Sequence, residues 1–199
     1  GPLRADAVIL ACPAYASAEI VRELDAPLAD ELSGIAYASS ATMSLAYRAE
    51  QVGRTIDGFG FVVPAIEART LIAVTVSSTK FAGRAPDGWV LLRAFLGGAM
   101  HPHVYAMSDD ELLAAVRRDL HELMGVTGEP KFAELSRWPG SMPQYPVGHL
   151  DRVRRIHERL AAHAGLAVAG NAFGGVGIPD CVQSAESAAG AVVEALKPA

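Results

Sequence analysis

Two kinds of hydrophobic pattern predict strands in the first half of the chain. Residues 7–11 form a short continuous apolar run, which is typical of a strand buried on both faces. Residues 39–48 alternate instead, with hydrophobic side chains at every second position from Met43 to Tyr47, which predicts a strand with one buried face. Three further strands are predicted between turn signals, at 59–63, 71–77 and 89–96. Four strands without long helices between them indicate an antiparallel or mixed sheet.

Helical periodicity precedes these strands. Apolar residues three and four positions apart predict one helical stripe, which consists of Ile20, Val21, Leu24, Leu28 and Leu32. Asp25 and Pro27 should divide the segment into two short helices, because proline interrupts a helix and aspartate caps the start of one.

Three more helices are predicted after the strands. Ser108 and Glu111 have the spacing of a capping box, and Gly125 is a plausible stop for the helix that they begin. Helices at 150–163 and 179–196 flank a short strand at 166–169. The order predicts an α/β (mixed α+β) protein in which two pieces of one domain, residues 5–34 and 135–197, flank a sheet-rich segment at 35–134.

Composition narrows the class of protein. Of the 199 residues, 51% are hydrophobic and 20% are charged, so the chain can bury a sizeable core. The formal net charge of −5 argues against nucleic acid as a partner. No run reaches the roughly 18 apolar residues that span a membrane. We therefore expect at most peripheral membrane contact.

The cysteines suggest a cellular compartment, and the first residues suggest a longer parent protein. Cys12 and Cys181 stand outside any CxxC motif, which suits a reducing compartment and a cytoplasmic location. No signal peptide is recognisable, and the chain begins with Gly1 rather than Met. We expect the chain to be a piece of a longer protein.

The segment that most strongly suggests a binding site is the glycine-rich stretch 170–181, GNAFGGVGIPDC. It is predicted to join a strand to a helix, with Pro179 in the first helical turn. Glycines allow backbone amides to approach a ligand, and a helix N-terminus carries partial positive charge. A phosphate or the anionic edge of a reduced flavin would suit this loop, and so would a tight turn with no ligand.

Several co-linear motifs extend this signal across the chain. They are the glycine segment itself, the RWPGSMPQY of residues 137–145 followed by Gly148 and His149, the GFGFVVP of residues 58–64, Lys80-Phe81 and Leu96-Gly97-Gly98. Together, from residue 5 to about residue 195, they resemble the C-terminal half of the bacterial FAD-dependent protoporphyrinogen and coproporphyrinogen oxidases.

The resemblance implies a set of site residues. Val176, Gly177 and Ile178 match the stretch that lies against the flavin in that family, and Trp138 matches another flavin-contacting position. A core tryptophan is the alternative for Trp138. Val62 and Phe95 match positions of the substrate pocket and could equally be ordinary inward-facing strand residues. No residue is singled out as a catalytic acid or base.

One motif of the family is missing. FAD enzymes of this fold bind the ADP half with a GxGxxG in a βαβ unit, and no GxGxxG occurs in this chain. The family carries it in the N-terminal half. The isolated chain should therefore be inactive and bind FAD poorly, and pairing with the missing N-terminal half or homo-oligomerisation would cover its bare apolar surface.

The activity implied by the resemblance is oxidation of a porphyrinogen to the porphyrin in haem biosynthesis, with molecular oxygen as acceptor. As the substrate, coproporphyrinogen III is favoured over protoporphyrinogen IX only by the sequence GIPDC, and the choice between the two substrates stays open. A related flavin amine oxidase or desaturase is one alternative. A non-catalytic porphyrin- or partner-binding module is the other.

Several further residues are weaker candidates for a functional site. His101 and His103 suggest a turn rather than a metal site, since no cysteine or carboxylate cluster completes one. Cys181 near a helix start is expected to pack rather than react. Four arginines could meet substrate carboxylates, without a basis for choosing among them: Arg48, Arg84, Arg93 and Arg137.

Overall fold

A computed structural model of the chain describes residues 1–54 and 58–197. Its strands, in chain order, are β1 (Val8–Leu10), β2 (Tyr37–Arg48), β3 (Gly60–Val62), β4 (Leu71–Val76), β5 (Trp89–Gly97), β6 (Phe132–Pro143) and β7 (Leu166–Val168). Its α-helices are α1 (Ala14–Val21), α2 (Ala26–Ser33), α3 (Ser77–Lys80), α4 (Pro102–Tyr105), α5 (Asp109–Met124), α6 (His149–Leu160) and α7 (Ile178–Ala195). The predicted mixture of helices and sheet is confirmed.

The chain forms two compact units. The first combines Gly1–Tyr37 with Pro143–Ala199, and the second is Ala38–Met142. The first unit contains a two-stranded parallel sheet, in which Val8 of β1 lies opposite Leu166 of β7. Leu10 and Val168 of this sheet share a core with α1, α2 and α6.

The two short helices at the start of the first unit form as predicted. The carboxylate of Asp25 accepts a hydrogen bond from the Leu28 backbone N–H at 2.8 Å and so caps α2. The predicted stripe is only partly buried: Val21, Leu28 and Leu32 lie in the core, whereas Ile20 and Leu24 are exposed. The buried face of α1 consists of Ala14, Ser17, Ala18 and Val21, so Ile20 lies off that face, and Leu24 follows the end of α1.

The prediction that residues 7–11 are buried on both faces is wrong for β1. Val8 and Ile9 are exposed, and only Leu10 of the strand is buried. Among the described residues β1 has a single strand neighbour, β7. A parallel pair of strands alone cannot cover both faces of a continuous apolar run.

The second unit is built on a five-stranded sheet of order β3-β4-β5-β2-β6. The pairs β3–β4, β4–β5 and β2–β5 are antiparallel. Helix α5 covers one face, where Leu112, Val116 and Leu120 pack against strand residues such as Leu45 and Leu92. The capping box at Ser108 and the left-handed stop at Gly125 bound α5 as predicted.

Strand β6 was not predicted. Pro139 and Gly140 lie within it, and both residues normally argue against a strand interior. They are accommodated because β6 is an edge strand with β2 as its neighbour. As a result, residues 135–142 belong to the sheet of the second unit rather than to the segment 135–197 in which the sequence pattern placed them.

Within residues 1–54 and 58–197, no helix has both the length and the apolar content needed to cross a membrane.

Candidate functional site

The glycine-rich loop joins β7 to α7 in the first unit. The Gly177 backbone N–H donates to the Asp180 carboxylate at 3.0 Å, which folds that side chain back over the loop. A Cβ added at Gly175 would lie 2.4 Å from the Asp180 carboxyl group, and one at Gly177 would lie 2.8 Å from it. At Gly175 the clash extends to the Asp180 Cβ at 2.8 Å, whereas at Gly177 it involves only the end of the Asp180 side chain, so Gly175 has the stronger steric requirement for glycine.

The other side of this loop is open. A Cβ at Gly170 or Gly174 would meet no atom within 4 Å. Val176 and Ile178 expose their side chains, Ile178 by 82%. The loop thus presents bare backbone and apolar side chains at the start of an 18-residue helix.

Tyr145 and His149 support the loop. Their rings are stacked, with centroids 4.1 Å apart, and the Tyr145 hydroxyl donates to the backbone oxygen of Asn171. Burial raises the pKa of the Tyr145 phenol, and the nearby Asp180 carboxylate raises it further. His149 is only 5% exposed, and its Nε2 has no hydrogen-bond partner among the described residues.

The second unit leaves one face of its sheet open. Strand pairing places Val62 opposite Ala73, Ala73 opposite Phe95, and Phe95 opposite Thr42. Residues directly opposite each other in antiparallel strands point to the same face. Here that face is the one away from the α5 core, since the core residues of β2 and β5 occupy the alternate positions.

Trp138 completes this row from β6. Its indole N–H donates to the Thr42 hydroxyl at 3.3 Å, and half of its side chain is exposed. We call the five residues the apolar row: Val62, Ala73, Phe95, Thr42 and Trp138. At about 4.8 Å between strands, the row extends about 19 Å across the sheet.

A second row lies beside it on the same face. Arg93 of β5 is opposite Ser44 of β2 and opposite Thr75 of β4. The Arg93 side chain is exposed. No hydrogen bond, ion pair or ring contact involves it within the part of the chain that the structure describes.

The other three candidate arginines have contacts of their own. The guanidinium of Arg48 stacks over the Trp89 ring at 4.2 Å, and that of Arg84 lies 5.6 Å from the Phe81 ring. Arg137 donates to the backbone oxygen of Met107 at 2.7 Å and pairs with an Asp109 carboxylate oxygen at 2.6 Å.

The predicted site residues fall into two groups. Val176, Gly177 and Ile178 lie together at the start of α7 in the first unit. Trp138, Val62 and Phe95 share the apolar row in the second unit. The structure brings the members of each group together, and their roles towards a flavin or a substrate stay predictions.

Sequence reasoning missed Thr42, Ala73 and the unpaired state of Arg93. The alternation in β2 and β5 separates core-facing from outward-facing positions and could have indicated Thr42 and Arg93. The role of Tyr145 and His149 was also missed, although both residues belong to a motif that carried the resemblance.

No group of three or more His, Cys, Asp or Glu side chains could hold a metal ion in residues 1–54 and 58–197. His101 and His103 stand at the start of the short helix α4, which takes the place of the predicted turn.

Known proteins resemble this chain in sequence and in structure. A family described as flavin containing amine oxidoreductase matches residues 2–193. The coproporphyrinogen III oxidase of Propionibacterium freudenreichii subsp. freudenreichii is 41% identical over 194 residues, which are 97% of this chain and 36% of that protein. The coproporphyrinogen III oxidase of Bacillus subtilis (strain 168) is 36% identical over 187 residues, which are 94% of this chain and 39% of that protein.

A solved structure is similar over almost the whole chain. It is that of a candidate protoporphyrinogen oxidase from Exiguobacterium sp. 255-15, with a TM-score of 0.80 and 34% sequence identity. The match covers 98% of this chain and 42% of the other. The chain therefore spans about two fifths of the length of the proteins that it matches.

Proposed function

Because this chain belongs to the flavin containing amine oxidoreductase family, we propose that it is the C-terminal part of an FAD-dependent porphyrinogen oxidase of haem biosynthesis, with coproporphyrinogen III as substrate. The observation that carries the proposal is the 41% identity, over 97% of the chain, with a coproporphyrinogen III oxidase. The activity is proposed for the whole protein, of which this chain would be one part.

The glycine-rich loop fits a flavin. Its open side combines accessible backbone at Gly174 with the apolar side chains of Val176 and Ile178, which suit a flat heteroaromatic ring. The N-terminus of α7 adds partial positive charge, which favours an anionic ring edge. Val176, Gly177 and Ile178 would hold the cofactor there, and Trp138 is the flavin contact proposed in the second unit.

FAD, when bound, would accept the hydrogens that the macrocycle loses and pass the electrons to molecular oxygen. Conversion of a porphyrinogen to a porphyrin removes six hydrogen atoms, so three oxygen molecules would become three molecules of hydrogen peroxide. The cofactor carries this chemistry, and the protein positions the ring.

The apolar row would supply the surface on which the macrocycle rests. Val62 is 74% exposed, and Phe95 and Trp138 are aromatic residues on the same side of the sheet. The two rows of this face contain no carboxylate and no histidine. These residues would therefore bind and orient the substrate and exclude water, without transferring protons.

A cytoplasmic location, with at most peripheral membrane contact, is part of the proposal. Cys12 and Cys181 are both free thiols, which suits a reducing compartment. Molecular oxygen, the N-terminal part of the protein and a second copy of the chain are the proposed partners.

The test uses the full-length protein that contains this chain. It is incubated aerobically with coproporphyrinogen III or with protoporphyrinogen IX, and porphyrin fluorescence and hydrogen peroxide are recorded. We expect coproporphyrin to form faster than protoporphyrin, with three peroxides for each porphyrin. Turnover of cyclohexylamine without porphyrin formation would favour an amine oxidase. Tight porphyrin binding without turnover by the flavin-loaded protein would favour a binding module.

A further inference from the structure

We propose that Arg93 binds a carboxylate group of the substrate on the open face of the sheet and selects macrocycles that carry free carboxylates. This inference rests on the proposed function, since it names the residue that would recognise the edge of the same substrate.

Strand geometry places Arg93 beside the apolar row. Arg93 and Phe95 are two residues apart on β5, so their side chains leave the same face about 7 Å apart. The Arg93 side chain therefore starts one step away from the aromatic ring on which the macrocycle would rest. A flat ligand centred on the row would bring its periphery, where the carboxylates are attached, over Arg93.

The lack of a charged partner among the described residues also supports Arg93 as the carboxylate-binding residue. Arg93 is exposed, and no carboxylate pairs with it among the described residues. The Arg137 guanidinium, by contrast, is already committed to Asp109 and to backbone oxygens, while Arg48 is stacked on Trp89. A guanidinium can form two parallel hydrogen bonds with a carboxylate, and such charge-assisted hydrogen bonds are about twice as strong as those between neutral groups.

The neighbours of Arg93 strengthen the site. The hydroxyl-bearing residues Ser44 and Thr75 lie directly opposite Arg93 on the two adjacent strands. Their hydroxyls can donate to a carboxylate that the guanidinium holds. The face thus offers one charged group flanked by two neutral donors, next to an apolar surface.

Binding of two related ligands to the full-length protein tests the assignment. Coproporphyrin III carries four carboxylates, and its tetramethyl ester has the same ring without charge. Arg93→Gln should weaken binding of coproporphyrin III about tenfold, because the charge-assisted pair is lost, and leave binding of the ester unchanged. Arg93→Lys should restore part of the affinity for the acid because it restores the charge.

Arg118→Gln is the matched control, since exposed Arg118 lies on α5, which covers the other face of the sheet, and its loss should change neither affinity. In turnover, Arg93→Gln should raise KM about tenfold with kcat nearly unchanged. Equal losses for acid and ester, or wild-type affinity for both, would overturn the role of Arg93 and leave the proposed function standing. A wild-type protein that binds neither ligand would overturn both.

Discussion

The ring of Tyr145 lies parallel to the buried ring of His149, with an interplanar angle of 10° and a centroid separation of 4.1 Å. The stack orients the Tyr145 hydroxyl towards the backbone of Asn171 in the glycine-rich loop. A motif outside the loop thus holds part of the loop in place.

Tyr145→Phe should loosen the glycine-rich loop without disturbing the stack. The substitution removes the hydroxyl that bonds to Asn171 and keeps the ring. Loss of one such hydrogen bond costs about 1 kcal/mol, which corresponds to about fivefold faster amide exchange. Hydrogen–deuterium exchange of residues 170–177 measures the effect. Tyr105→Phe is the control, because Tyr105 belongs to α4 of the second unit, whereas the loop belongs to the first. Unchanged exchange in Tyr145→Phe would contradict the supporting role.

Gly175→Ala and Gly174→Ala should differ sharply. The new Cβ at position 175 would lie 2.4 Å from the Asp180 carboxyl group and displace it from Gly177, whereas the Cβ at 174 would meet open space. We expect Gly175→Ala to lower the free energy of unfolding by about 1–3 kcal/mol. Gly174→Ala should leave it within about 0.5 kcal/mol. Urea denaturation of the two variants measures this difference in stability. Equal midpoints would contradict the prediction that a Cβ at position 175 displaces the Asp180 carboxyl group.

Asp25 should make the chain sensitive to acid. Its pKa is lowered by the hydrogen bond with His163, and further by the Leu28 N–H and by Arg159. Stability from this carboxylate is fully present above the unfolded pKa, about 4, and is lost as the pH falls through the lower folded pKa. The urea midpoint of the wild-type chain should therefore fall below about pH 4.

Asp25→Asn isolates this effect because asparagine still caps α2 but cannot titrate. Its urea midpoint should be lower than that of the wild type at pH 6, and the gap should narrow towards pH 3. Asp30→Asn is the control: Asp30 forms a solvent-exposed pair with Arg22, which contributes little. A constant gap between Asp25→Asn and the wild type from pH 3 to 6 would contradict the prediction.

The isolated chain should bind FAD weakly. The glycine-rich loop is the proposed contact for one end of the cofactor, but no GxGxxG is present to hold the pyrophosphate. Fluorescence titration of the purified chain with FAD should give no stoichiometric complex. A yellow chain that retains one FAD through gel filtration would refute this prediction.

Local signals were the most reliable guides to the fold. The alternation from Met43 to Tyr47, the capping box at Ser108 and the cap at Asp25 each depend on a few neighbouring residues, and each appears as predicted. Properties that depend on distant partners were harder. The exposure of Val8 and Ile9 depends on which strands flank β1, and the acceptance of Pro139 depends on the edge position of β6.

In the candidate site, too, local features could be predicted and features that depend on distant partners could not. The glycine-rich loop could be recognised because its residues are contiguous in the sequence. The apolar row could not be recognised in this way, because it joins residues from five strands, and the register between those strands cannot be read from any one segment. Three of its members, Val62, Phe95 and Trp138, entered through family resemblance alone. That they share one face with Thr42 is a result of the structure.

The open face and the core of the second unit draw on alternating residues of the same strands. In β5, Arg93 and Phe95 belong to the open face, whereas Leu92, Ala94 and Leu96 belong to the core. Substitutions at the first set should therefore leave the packing of the second nearly unchanged. The proposed ligand contacts and the core therefore occupy interleaved but separate positions, so a mutant library confined to the outward-facing positions should explore new selectivity while most of its members still fold.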